Sequence, residues 1–104
     1  MADTSSLDIT KVRRAAADAT GMLRLLANED RLLLLCQLTQ GELCVSELEE
    51  LLEIRQPTLS QQLGVLRTEG VVATRREGKN IYYSIADERV EQLLNQLYQM
   101  FCRK

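Results

Sequence analysis

Between Ser46 and Gly70 the chain sets two short helical patterns around a tight turn, Ser46-Glu-Leu-Glu-Glu-Leu-Leu-Glu followed by Pro57-Thr-Leu-Ser-Gln-Gln-Leu-Gly-Val-Leu-Arg. The second pattern carries Thr58, Ser60, Gln61 and Gln62 where a helix of a merely globular domain more often carries Glu and Lys. Short polar side chains that both donate and accept are what a helix needs to read base edges in a DNA groove. The stretch therefore reads as a helix-turn-helix.

Its flanks extend that reading. From about Asp8 to Ala27, apolar residues at Ile9, Val12, Ala16, Ala19, Leu23 and Leu26 fall at the three-and-four spacing of one helical face. Asn28 is placed to cap a second helix over Glu29–Thr39, with Glu29 and Asp30 in its first turn and an apolar run through Leu32–Leu35 and Leu38. This helix is expected at the centre of the core, ended by Gly41. Ser46 and Glu49 form a capping-box pattern for a third helix reaching Glu53. Pro57 suits the first position of a fourth helix, whose inner face is Leu59, Leu63 and Leu66 and whose stop is Gly70. Two strands follow, Val71–Arg76 and Asn80–Ile85, joined at Glu77-Gly78-Lys79. Asp87 is placed to cap a last helix with a ridge of Val90, Leu94, Tyr98 and Cys102. The expected fold is mainly α with a β-hairpin: a winged helix-turn-helix in the order α1-α2-α3-α4-β-β-α5, one domain over residues 1–104.

Charge placement agrees with a nucleic-acid partner even though the net charge is −2. Residues 55–80 hold Arg55, Arg67, Arg75, Arg76 and Lys79 against Glu69 and Glu77, a local +3, whereas residues 1–54 carry five basic and ten acidic residues. Phosphate contact depends on local cationic density. In a winged helix the fourth helix enters the major groove and the hairpin tip reaches the flanking backbone or minor groove. Thr58, Ser60, Gln61 and Gln62 are then candidates for base edges or phosphates, and Arg55, Arg67 and Lys79 for phosphates. Gln56 and Arg76 complete the candidate DNA-binding set. The competing explanation is an ordinary solvated polar face.

An enzyme is not expected: the chain has no histidine, no Gly-rich phosphate loop and no nucleophile–base constellation. No apolar run approaches the roughly 20 residues that span a bilayer, and the first residues lack a basic region leading into an apolar core. A cytoplasmic location without membrane contact is expected. There, three cysteines are free, redox-active or metal-bound more often than structurally bridged.

The segments Arg31-Leu-Leu-Leu-Leu-Cys-Gln-Leu, Gly41-Glu-Leu-Cys-Val-Ser-Glu-Leu, Gln56-Pro-Thr-Leu-Ser-Gln-Gln-Leu, Leu66-Arg-Thr-Glu-Gly-Val-Val and Arg76-Glu-Gly-Lys-Asn-Ile-Tyr-Tyr-Ser-Ile together resemble the ArsR/SmtB family over about residues 10–102. The resemblance implies a homodimeric bacterial repressor that dimerises through its first and last helices, binds an imperfect operator palindrome and releases it when an inducer is sensed. The zinc and nickel sites that family members carry on the last helix use His with Asp or Glu, and this chain has no His. The family's arsenic and cadmium sites use Cys-Val-Cys, where this chain has Cys44-Val45-Ser46, and a lone thiolate makes a poor soft-metal site. No resident metal or cofactor is expected.

Cys36 in the second helix and Cys102 near the chain end instead resemble the dithiol of the reactive-sulfur and redox-sensing branch, the SqrR, BigR and HlyU types. There the two thiols are joined by a disulfide or polysulfide. Arg103 and Lys104 beside Cys102 should favour its thiolate. The resemblance thus implies Cys36 and Cys102 as sensing thiols for persulfides, polysulfides or oxidants. Three alternatives stay open: a thiolate metalloregulator recruiting Cys44, a winged-helix interaction module without an inducer, and Cys36 as a plain core residue.

Overall fold

A computed structural model describes residues 8–102, so Arg103 and Lys104 lie outside the described residues. The elements are α1 (Ile9–Leu26), α2 (Glu29–Leu38), β1 (Leu43–Cys44), α3 (Val45–Leu52), α4 (Thr58–Thr68), β2 (Val72–Glu77), β3 (Asn80–Ile85) and α5 (Glu88–Phe101). Local chemistry starts the helices where short acceptors precede apolar periodicity. The Asn28 side chain accepts from the Arg31 N–H at 3.0 Å, and Asp87 accepts from the Arg89 N–H at 2.9 Å. Asp8 does the same for α1 through Thr10 at 2.9 Å.

The expected order of elements holds, with one addition and two displaced caps. The addition is β1, which pairs antiparallel with β3 (Leu43 opposite Tyr83, Cys44 opposite Tyr82) and makes the hairpin a three-stranded sheet of order β1-β3-β2. Because this pairing keeps Cys44 extended, α3 begins one residue beyond it. Cys44, not Ser46, is the N-cap, and the reaching carboxylate is Glu47, which accepts from the Cys44 N–H at 3.0 Å. Ser46 lies inside the first turn. At α4, Pro57 occupies the cap position rather than the first helical one. The turn between α3 and α4 is made by Glu53 at φ 56, a left-handed conformation that a side chain adopts at some cost.

Gly70, at φ 76, lets the chain leave α4, and its neighbour Val71 donates to the Leu66 carbonyl at 2.9 Å. The wing then turns at Gly78, φ 63, with Glu77 opposite Asn80. The core gathers the apolar faces predicted by periodicity: Leu34, Leu35 and Leu38 of α2 meet Leu48, Leu59, Leu63, Leu66, Val90 and Leu94. Among the described residues no polar side chain is buried with them. Leu34 is fully enclosed. Leu34→Ala should therefore lower unfolding free energy by about 2–5 kcal/mol, read by denaturant titration, because the cavity adds to the lost transfer energy.

The outer helices behave differently. Only Leu26 of α1 is buried, while Ile9, Val12 and Leu23 stand exposed, Ile9 at 67%. On α5, Val90 and Leu94 enter the core but Tyr98, Met100 and Phe101 remain exposed, Phe101 at 77%. Among the described residues no helix is long and apolar enough to cross a membrane.

Candidate nucleic-acid interface and thiol cleft

Burial of Leu59, Leu63 and Leu66 fixes which side of α4 faces outward. Thr58, Ser60, Gln61 and Arg67 are exposed on it, with Arg55 and Gln56 in the preceding turn. Ser60 donates its hydroxyl to the Gln56 side-chain carbonyl, one helical turn earlier. Arg76 and Lys79 are exposed on the wing, Lys79 beside the tip glycine.

Gln62 departs from the rest of the set. It is half-buried, its Oε1 accepts from Arg31 Nη1 at 3.1 Å, and its Nε2 lies 3.4 Å from Asn28 Oδ1. It faces the α1–α2 junction. Arg31 and Asn28 lie more than 30 positions away in sequence, so helical spacing alone gave no sign of the pairing.

Arg75, part of the local positive charge, has a specific geometry. Its Nε donates to Glu42 at 3.1 Å, Nη1 to Glu77 at 3.3 Å, and the guanidinium lies 4.9 Å from the Tyr82 ring centroid. The hydrogen bond from Arg75 holds the Glu42 carboxyl below its ordinary range. Arg75 thus clamps β2 across β3 to the residue before β1, and its charge is matched internally. Exposed pairs of this kind contribute little to stability, so their value lies in geometry.

The three cysteines are all free. Cys36 on α2 is half-buried and Cys102 after α5 is exposed. They line the same cleft of about 560 Å³, with Leu33, Gln37, Asn95 and Tyr98. Burial pushes the Cys36 thiol above its ordinary 9.0, and the neighbouring Cys102 pushes it further in the same direction. Cys44 lies apart, buried at the α3 cap with its sulfur 3.2 Å from the Ser46 hydroxyl. Among the described residues no group of three or more His, Cys, Asp or Glu side chains is placed to hold a metal ion.

A helix-turn-helix with a basic wing, preceded by two helices and closed by a third, is the shared plan of a known group. The family model "Bacterial regulatory protein, arsR family" matches residues 28–74. The Biofilm growth-associated repressor of Agrobacterium fabrum is 47% identical over 100 residues, covering 96% of this chain and 86% of that protein. This chain belongs to the ArsR family. Among solved structures, the regulator HlyU from Vibrio vulnificus superposes with a TM-score of 0.88 at 36% identity, covering 92% of this chain and all of that one. The repressor BigR from Xylella fastidiosa gives 0.84 at 44% identity, covering 91% and 94%. The ArsR relatives named here are transcriptional regulators rather than enzymes. These relatives are consistent with the BigR and HlyU branch of the family.

Proposed function

We propose that the chain is a homodimeric operator-binding repressor in which Cys36 and Cys102 sense persulfides, polysulfides or related oxidants and release DNA when a bridge forms between them. One observation carries this reading: two free thiols far apart in the sequence, one in α2 and one after α5, line one cleft, and Cys102 adds to the raised pKa of Cys36. Residues 1–104 act as one DNA-binding and dimerisation unit in the cytoplasm. Arg55, Gln56, Thr58, Ser60, Gln61, Arg67, Arg76 and Lys79 contact double-stranded DNA at an imperfect palindrome. The exposed apolar residues of α1 and α5 support dimerisation, since a monomer rarely leaves such faces open to water.

The chemistry balances without a cofactor. The Cys102 thiolate attacks the outer sulfur of a persulfide R–S–SH, expels RS⁻ and becomes Cys102–S–SH. The Cys36 thiolate then attacks the Cys102 Sγ, expels HS⁻ and closes a disulfide. If Cys36 has also been persulfidated, the same attack closes a trisulfide and again releases HS⁻. Either bridge ties α2 to the end of α5. Because α5 also belongs to the proposed dimer contact, the tie alters the separation of two reading heads that must span half-sites about 34 Å apart.

The test adds a persulfide donor to reduced protein and follows intact mass and promoter affinity together. The expected result is a Cys36–Cys102 link, with or without added sulfur, accompanied by loss of promoter binding. Cys36→Ser and Cys102→Ser should each keep binding in the presence of the donor. Release from DNA in both variants would remove the thiols from the mechanism.

A further inference from the structure

We infer that Arg31 and Gln62 form a positioning pair that fixes the reading helix α4 to the junction of α1 and α2. The inference rests on the reading of α4 as the DNA-recognition helix. Arg31 donates from Nε to the Leu25 carbonyl at 2.7 Å and from Nη1 to Gln62 Oε1 at 3.1 Å. Gln62 Nε2 reaches Asn28 Oδ1 at 3.4 Å, and the same oxygen accepts from the Arg31 backbone N–H at 3.0 Å. Asn28, Arg31 and Gln62 therefore close a ring of hydrogen bonds, and all three are half-buried.

Each bond has a physical role. The Leu25 carbonyl lies in the last turn of α1, where backbone acceptors lack partners within the helix. Arg31 supplies one from a planar fork, whose fixed angles leave little freedom for the second bond to Gln62. Asn28 caps α2 and is held in place by Gln62 from the other side. With one bond at each end of its amide made inside the protein, Gln62 is turned toward Arg31 and Asn28 and would have to leave them to present its amide to adenine. The pair acts through placement: rotating α4 about its axis would break the bond to Arg31, and Ser60 and Gln61 would turn with it. Arg31 and Cys36 share α2, five residues or about 7.5 Å apart along the axis. The element that carries the half-buried thiol thus also holds the reading helix.

The test is a double-mutant cycle of Arg31→Met and Gln62→Met in the full chain, measured on operator and random DNA across a salt series. Each single variant should weaken operator binding by about tenfold while random-DNA affinity and salt slope stay as in the parent. The double variant should be no weaker than either single one. Multiplying losses would overturn the pair. So would a salt slope reduced by one phosphate in Arg31→Met, or a change of preference at a single base pair in Gln62→Met. If Arg31→Met fails to fold, Arg31→Lys keeps the charge without the fork and should give the same tenfold loss; parent-like binding by it would reject the pair. Arg67→Ala separates the premise from the inference. An unchanged salt slope there would reject α4 as the reading helix, whatever the cycle shows.

Discussion

Replacing Arg55, Arg67, Arg76 and Lys79 together by alanine is expected to weaken operator binding by about a thousandfold near physiological salt. All four side chains are exposed, in the turn, on α4 or on the wing. In the proposed dimer they meet phosphates twice over. Losing about eight such contacts should flatten the slope of log affinity against log salt by about seven. Arg75→Ala makes the internal comparison, since its guanidinium is already matched by Glu42 and Glu77. It should leave the slope nearly unchanged while loosening the wing. A fourfold variant whose salt slope stays at the parent value would show that these cations face away from the duplex.

The second large effect concerns which thiol reacts first. Cys102 is exposed, whereas Cys36 is half-buried with its pKa raised first by burial and then by Cys102. At neutral pH a limiting alkylating reagent should therefore modify Cys102 faster by on the order of tenfold or more, since the thiolate is the reactive form and access adds to the difference. In the proposed mechanism that order makes Cys102 the attacking thiol and Cys36 the closing one. The pH dependence has a definite sign. A raised pKa means that the folded protein holds the Cys36 proton more tightly than the unfolded chain does. The associated stability is present below the ordinary 9.0 and is lost as pH climbs through the folded value. Cys36 alkylation should rise with pH beyond 9.0, and in Cys102→Ser that curve should move to lower pH because one of its two causes is gone. Peptide mapping of partly alkylated protein decides the order; label appearing at Cys36 first would reverse the assignment.

Much of this architecture is legible in one dimension because its signals are local. Apolar spacing placed the helices, Asn28 and Asp87 marked two starts, and Gly70 and Gly78 marked the end of α4 and the wing tip. What escaped depends on partners far apart in the chain. The strand Leu43–Cys44 exists because Tyr82 and Tyr83 lie beside it, and its pairing moves the α3 cap from Ser46 to Cys44. The capping-box rule favours Ser46 with Glu49, whereas the observed pair is Cys44 with Glu47, so the sheet overrides the local signal. Gln62 resembles its exposed neighbours in sequence and differs from them only through Arg31 and Asn28. The thiol pair was legible through family resemblance, since neither cysteine's local sequence indicates a shared cleft.

The short strand β1 has a mechanical consequence. It stitches the entrance of α3 to the central strand of the sheet, and the Glu42–Arg75 clamp spans the same seam. Joined along this seam, α3 and the hairpin are expected to move as one body rather than flex separately to follow an imperfectly shaped duplex. Accommodation falls to the DNA, so target sites with easily kinked pyrimidine–purine steps gain an advantage at bases no side chain touches.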